Sequence, residues 1–100
     1  PYKPMSWGIV YAQETGRPLA RVMARIFEPT YNKLLETQVT DSKGRYAFLL
    51  GPNQYFAVFQ KEGFVQKEIK PIDYSAHAEP ENFSQKVALE SNESSDSKSD

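Results

Sequence analysis

The sequence predicts an all-β domain, a seven-stranded antiparallel sandwich with Greek-key connections, and three observations support this. Phe, Trp and Tyr make up 13% of the chain, and aromatic and β-branched residues favour strands. No window of about 11 residues shows the apolar spacing of an amphipathic helix. Turn-forming residues recur roughly every 8–12 positions, a rhythm typical of sandwiches and barrels.

Alternating apolar and polar residues between these turns predict seven strands, each ended by Gly, Pro, Asn or Asp. A loop is predicted over residues 71–82, and the domain is expected to span residues 6–90, after an N-terminal arm over residues 1–5. Residues 91–100 contain no apolar side chain and predict a disordered tail or linker. The predicted strands are Ser6–Gln13, Arg21–Glu28, Leu34–Thr40, Arg45–Leu50, Gln54–Gln60, Phe64–Lys70 and Phe83–Leu89.

Composition limits the classes of function. One hundred residues fit one domain, and Pro1 at the start predicts an excised fragment or a processed chain. Twelve Lys and Arg against thirteen Asp and Glu leave a net charge of −1, which gives no electrostatic basis for binding nucleic acid. Apolar runs of about four or five residues are too short for membrane insertion by this segment. The absence of cysteine excludes disulfides and thiolate metal sites.

The turn between the third and fourth predicted strands is the most specific local signal. Asp41 and Gly44 occupy the first and fourth positions of a type I arrangement. Gly44 is expected to adopt a positive φ, and the Asp41 carboxylate is expected to accept backbone N–H groups. We therefore expect both residues to determine the fold rather than to bind a ligand.

Alternation also assigns side chains to the two faces of each strand. Apolar residues left on outward positions of three strands form a candidate interaction surface, which docks a partner or is covered by the arm or the 71–82 loop. The candidate surface comprises Trp7, Ile9, Tyr11, Leu49, Phe56 and Val58. The predicted inward set comprises Val22, Ala24 and Ile26; Leu35, Thr37 and Val39; Tyr46, Phe48 and Leu50; and Tyr55, Ala57 and Phe59.

Catalytic, metal-binding and cofactor-binding residues are not expected. The single histidine, His77, lies in a loop with several carboxylates, but residues crowded into one loop seldom form a catalytic triad. Transition-metal sites usually need more than one His or a thiolate. Calcium remains an alternative, although no EF-hand loop orders the oxygen donors. Those donors are Asp41, Asp73, Glu79 and Glu81.

Carbohydrate binding is a second alternative, because exposed aromatic rings can stack on sugars. The side chains available for such stacking are Trp7, Tyr11, Tyr2, Tyr31 and Tyr74.

Four segments, in this order, resemble the carboxypeptidase regulatory-like domains, which have a transthyretin-like sandwich. They are Gly8-Ile9-Val10, Thr15-Gly16-Arg17-Pro18-Leu19, Thr40-Asp41-Ser42-Lys43-Gly44-Arg45-Tyr46-Ala47-Phe48, and Tyr55 followed by Gly63-Phe64. The third segment is the most specific, and the resemblance covers roughly residues 6–90.

This resemblance implies a noncatalytic module of a larger bacterial envelope or surface protein, located outside the cytoplasm. Such a module would act as a spacer or would dock neighbouring domains of the same polypeptide or another protein. Geometry adds to this expectation: if each of seven strands reverses its predecessor, the two ends of the domain lie at opposite ends of the sandwich.

Overall fold

The computed structural model describes residues 7–92, which form nine strands and no helix, so the predicted all-β class is confirmed. No helix that could cross a membrane occurs in this range. The predicted arm and most of the predicted tail lie outside the described residues. The strands are β1 Gly8–Ala12, β2 Met23–Glu28, β3 Lys33–Val39, β4 Arg45–Tyr46, β5 Phe48–Leu50, β6 Gln54–Gln60, β7 Lys67–Asp73, β8 Glu81–Phe83 and β9 Val87–Leu89.

The strands form a four-stranded sheet (β3-β2-β6-β7), a three-stranded sheet (β4-β1-β9) and a two-stranded sheet (β5-β8). All neighbours are antiparallel except β1 and β9, which run parallel with Val10 opposite Val87. The prediction of a purely antiparallel arrangement is therefore wrong. A parallel pair needs a long crossover connection, and the chain between β1 and β9 supplies it.

The strand count also differs from the prediction, because the fourth predicted strand is interrupted at Ala47 and the 71–82 loop contributes residues to β7 and β8. At the interruption, the Gln38 side chain completes the hydrogen bonding. Ala47 N donates to Gln38 Oε1 at 3.0 Å, and Gln38 Nε2 donates to the Ala47 carbonyl. The amide side chain from β3 thus satisfies the backbone N–H and carbonyl of Ala47, which lies between β4 and β5.

Aromatic rings fill the space between the inner faces of the sheets. The Tyr46 ring lies edge-on to Phe59 with centroids 5.2 Å apart, and it also packs near Phe48 and Phe83. Its hydroxyl donates to the Gln85 carbonyl, and burial raises the pKa of Tyr46 well above its usual range. The inward positions predicted for the second, fourth and fifth predicted strands are confirmed, since all nine are buried.

The inward positions predicted for β3 are wrong: Leu35, Thr37 and Val39 are exposed. Glu36 pairs with inward-facing Ile26 and Val39 with outward-facing Met23, while the register shifts by one residue at Leu35. β3 is an edge strand whose inner positions hold polar side chains, so apolar alternation gave the opposite phase.

The turn after β3 brings together backbone and carboxylate groups. Asp41 Oδ1 accepts the N–H of Lys43 at 3.0 Å and of Arg45 at 2.9 Å. Gly44 has φ +73, and its carbonyl accepts Val10 N at 2.8 Å. A Cβ at this position would lie 2.6 Å from the Val10 carbonyl oxygen, so both the conformation and the space require glycine.

We expect Gly44→Ala to lower the free energy of unfolding by about 3 kcal/mol, because the left-handed conformation and the contact with Val10 both oppose a methyl group. Gly63→Ala is the matched control, since Gly63 has φ +89 but no atom within 4 Å of its missing Cβ. It should cost about 1 kcal/mol. Urea denaturation measures both, and equal losses would show that the Val10 contact relaxes freely.

Candidate functional site

The candidate interaction residues lie on opposite sides of the sandwich. Ile9 and Tyr11 point outward from β1, as does Trp7 immediately before it, while Phe56 and Val58 point outward from β6. The inner faces of these strands meet at the aromatic cluster, so their outer faces point in opposite directions. Alternation gives the face that a residue occupies, but it does not give the sheet to which its strand belongs.

Leu49, the remaining candidate, lies on β5 in the two-stranded sheet and is 62% exposed. The six candidates therefore do not form one continuous patch, and each surface has to be considered separately.

On the β1 side, three residues form a chain of charge and ring contacts. Asp41 Oδ2 accepts Arg45 Nε at 2.7 Å, and the Arg45 guanidinium lies 5.1 Å from the centroid of the Trp7 ring. Cation–π contacts of this kind favour Arg over a Trp face. Trp7 is still 50% exposed, so this arrangement orients an aromatic side chain that remains accessible to a partner.

The turn also keeps Asp41 ionised. The Arg45 backbone N–H, followed by the Arg45 side chain and the Lys43 backbone N–H, holds the pKa of Asp41 below its ordinary value of 3.8. The carboxylate is therefore charged at neutral pH and anchors Arg45 beneath Trp7.

On the opposite side, the outer face of the four-stranded sheet carries an apolar band that we call the outer apolar face. Phe27 and Phe56 stack with centroids 4.9 Å apart, and Lys70 Nζ lies 5.0 Å from the Phe56 ring. Phe56 points outward as predicted, yet it is only 8% exposed because these neighbours cover it. The outer apolar face comprises Met23, Phe27, Leu34, Val39, Phe56 and Val58.

Four members of this face, Met23, Phe27, Leu34 and Val39, were not among the predicted surface residues, and Val39 was predicted to point inward. Phe27 and Met23 alternate with the buried residues of β2, so their outward direction was readable from the same period. The position of Leu34 opposite Phe27 was not readable, because the bulge at Leu35 shifts the register of β3 there.

The His77 loop has ordinary local contacts. His77 Nδ1 lies 3.5 Å from Glu81 Oε2, and its ring stacks on Tyr74 at 4.9 Å. Asp73 accepts the Ser75 hydroxyl and backbone N–H, which lower the pKa of Asp73. Within residues 7–92, no three His, Asp or Glu residues come together as a metal site would require.

The aromatic residues considered for sugar binding are dispersed over the described surface. Tyr31 is exposed near the turn between β2 and β3, whereas Tyr74 packs against the core and the ring of Tyr55. Tyr11 lines a shallow groove of about 340 Å³ with Pro18 and two lysines. Tyr2 lies outside the described residues.

No known protein-family model matches the chain, and no curated protein is similar to it at a significant level. Among solved structures, the fold is similar to that of 3-chlorocatechol 1,2-dioxygenase from Rhodococcus opacus 1CP, with 17% sequence identity and a TM-score of 0.56. The match covers 87% of this chain and 59% of the dioxygenase chain. At this identity the likeness shows the fold alone.

This neighbour overturns the prediction that the chain is not an enzyme. That prediction rested on the residue inventory and on a family resemblance, whereas a similar sandwich occurs in a dioxygenase. The fold therefore gives no ground for excluding catalysis, and the likeness assigns no reaction to this chain.

Acidification tests the contacts of Asp41. Because its pKa is lowered in the folded state, ionised Asp41 stabilises the fold above pH 3.8, and this contribution is lost as the pH falls below that value. We expect Asp41→Asn to lower the Tm at pH 7 by a few degrees and to weaken the further decline between about pH 5 and pH 2.

The matched control is Glu79→Gln, a change at an exposed carboxylate that makes no hydrogen bond or ion pair within residues 7–92. It should leave the pH profile unchanged. Trp7 is the single tryptophan, so its emission spectrum reports whether the Arg45 guanidinium leaves the Trp7 ring when the contact with Asp41 is lost. Superimposable pH profiles for wild type and Asp41→Asn would contradict the assignment.

Proposed function

We propose that this chain is an in-line structural module that holds neighbouring domains apart within a larger envelope or surface protein, the setting that the family resemblance implies. One observation carries the proposal. β1 and β9 are adjacent and parallel, with Val10, Tyr11 and Ala12 opposite Val87, Ala88 and Leu89. The chain thus enters β1 at one end of the sandwich and leaves β9 at the other.

Both ends of this path are fastened to the rest of the domain. At the start, Gly8 pairs with Tyr46 of β4. Beyond β9, the Glu90 carbonyl accepts Val65 N at 2.7 Å, and Asn92 N donates to the Gly63 carbonyl at 3.1 Å. Tension applied to either end therefore reaches the β1–β9 pair rather than peeling a loose segment from the surface.

Parallel terminal strands also determine how that pair responds to load. When the start of β1 and the end of β9 are pulled apart, the two strands slide along each other. Their hydrogen bonds, which are evenly spaced in a parallel ladder, are then strained together rather than one after another. Such shear loading suits a module that transmits force between its neighbours.

Single-molecule pulling tests this proposal, and the absence of native cysteine lets introduced thiols define the attachment points. A Ser6→Cys, Glu90→Cys variant loads β1 against β9 in shear. A Ser6→Cys, Leu49→Cys variant pulls the start of β1 away from β5, which follows the end of antiparallel β4, so the bonds between β1 and β4 separate singly. We expect the first geometry to unfold at about twice the force of the second, since forced unfolding is governed by the unfolding barrier.

A second variant examines the pair itself. Gln13 N donates to the Leu89 carbonyl at 2.9 Å, so Gln13→Pro removes one bond at the end of the β1–β9 ladder. It should lower the unfolding force in the shear geometry and leave the other geometry nearly unchanged. Equal forces in both pulling directions would overturn the proposed role of the β1–β9 pair in transmitting force.

A further inference from the structure

An open groove lies at the end of the sandwich from which β9 leaves. Its volume is about 550 Å³, within the range of ligand sites. The walls come from the start of β2, the turn after β6 and Asn92. We call it the basic groove, because its charged lining residues are Arg21, Arg25, Lys61 and Glu62.

The three cations are not neutralised by ion pairing. Among residues 7–92, none of them forms a salt bridge. Arg25 Nη1 instead donates to Gln60 Oε1 at 2.8 Å, and Lys61 Nζ donates to the Ala20 carbonyl at 2.9 Å. Three positive groups and one carboxylate in a concave wall concentrate a positive field, which attracts anions.

Arg21 adds backbone strain to this charge. Its φ is +62, a left-handed conformation that non-glycine residues seldom adopt. Hydrogen bonds on both sides hold this conformation. Arg21 N donates to the Thr40 carbonyl at 3.0 Å, and Lys61 Nζ donates to the carbonyl of the preceding residue, Ala20. Strained residues maintained in this way concentrate at ligand sites, and here the strained residue is a cation in the groove wall.

We propose that the basic groove binds an acidic peptide segment of a partner domain. A guanidinium group binds a carboxylate through paired hydrogen bonds. Arg21 and Arg25 supply two guanidinium groups to the groove. The groove adjoins the outer apolar face, since Met23 and Arg25 belong to the same outward row of β2. A segment with carboxylates followed by apolar side chains therefore matches both surfaces.

The lining favours a peptide over a sugar acid. Phe64, the aromatic residue of the groove, is partly buried against the core cluster, so only part of its ring is available for stacking. Glu62 opposes any anion, and its removal should strengthen binding. This docking site is distinct from the proposed mechanical role of the β1–β9 pair, because it includes neither strand, although it shares Asn92 with the contacts that follow β9.

Fluorescence anisotropy with fluorescein-labelled hexaglutamate, at low ionic strength, tests the proposal. The test variant is Arg21→Asn with Arg25→Gln, in which Asn tolerates the left-handed backbone. The control, Lys43→Gln with Lys86→Gln, also removes two positive charges, but from the groove beside Tyr11. We expect about tenfold weaker binding by the test variant and no change in the control.

Glu62→Gln provides a result that does not depend on the stability of the double variant. Glu62 is exposed, and its neutralisation should tighten hexaglutamate binding by about threefold. Equal weakening in the test and control variants would show general charge attraction and overturn the site. Absence of wild-type binding at about 1 mM peptide, or binding of oligogalacturonate in preference to hexaglutamate, would overturn it as well.

Discussion

The position of the Tyr46 ring against Gly8 is the contact on which the rest of the sandwich depends. A Cβ on Gly8 would lie 2.4 Å from that ring, so the absence of a side chain in β1 makes room for it. From there the ring reaches Phe59 of the facing sheet and Phe83 of β8, and its hydroxyl binds the Gln85 carbonyl just before β9. One residue thus contacts β1, β6, β8 and the segment before β9, and it helps to hold the paired strands β1 and β9 against the facing sheet.

The elements that sequence reasoning predicted correctly are those with strong contrast between their faces. β2 and β6 are interior strands, so every second side chain is buried and the period of two is unambiguous. β3 has only one neighbouring strand, its inner positions hold Glu36 and Gln38, and Leu35 interrupts the alternation. Apolar pattern alone could not place such an edge strand. The parallel pairing of β1 and β9 was equally beyond reach, because it joins the two ends of the domain and no local signal encodes it.

The candidate surfaces show the same division between local and long-range information. Outward directions were predicted for Trp7 and Phe56, but the sheet order that separates them was not. The basic groove depends on still longer connections, since Arg25 and Lys61 are brought to one wall by the pairing of β2 with β6. Neither residue stands out in the sequence, where each is one of twelve basic side chains. Arg21 carried no signal either, because a positive φ at arginine has no sequence signature.

The bulge at Leu35 affects how this edge of the sheet would behave beside another sandwich domain. Two sandwich domains joined in one polypeptide have a millimolar effective concentration for each other. At that concentration, regular edge strands of the two domains can pair through backbone hydrogen bonds. On β3 the extra residue breaks the spacing of free N–H and carbonyl groups. On β7, the opposite edge, Pro71 removes a donor, and Lys67, Glu68 and Lys70 add charged side chains. Both edges are thus poor templates for the addition of another strand, which opposes aggregation through edge pairing.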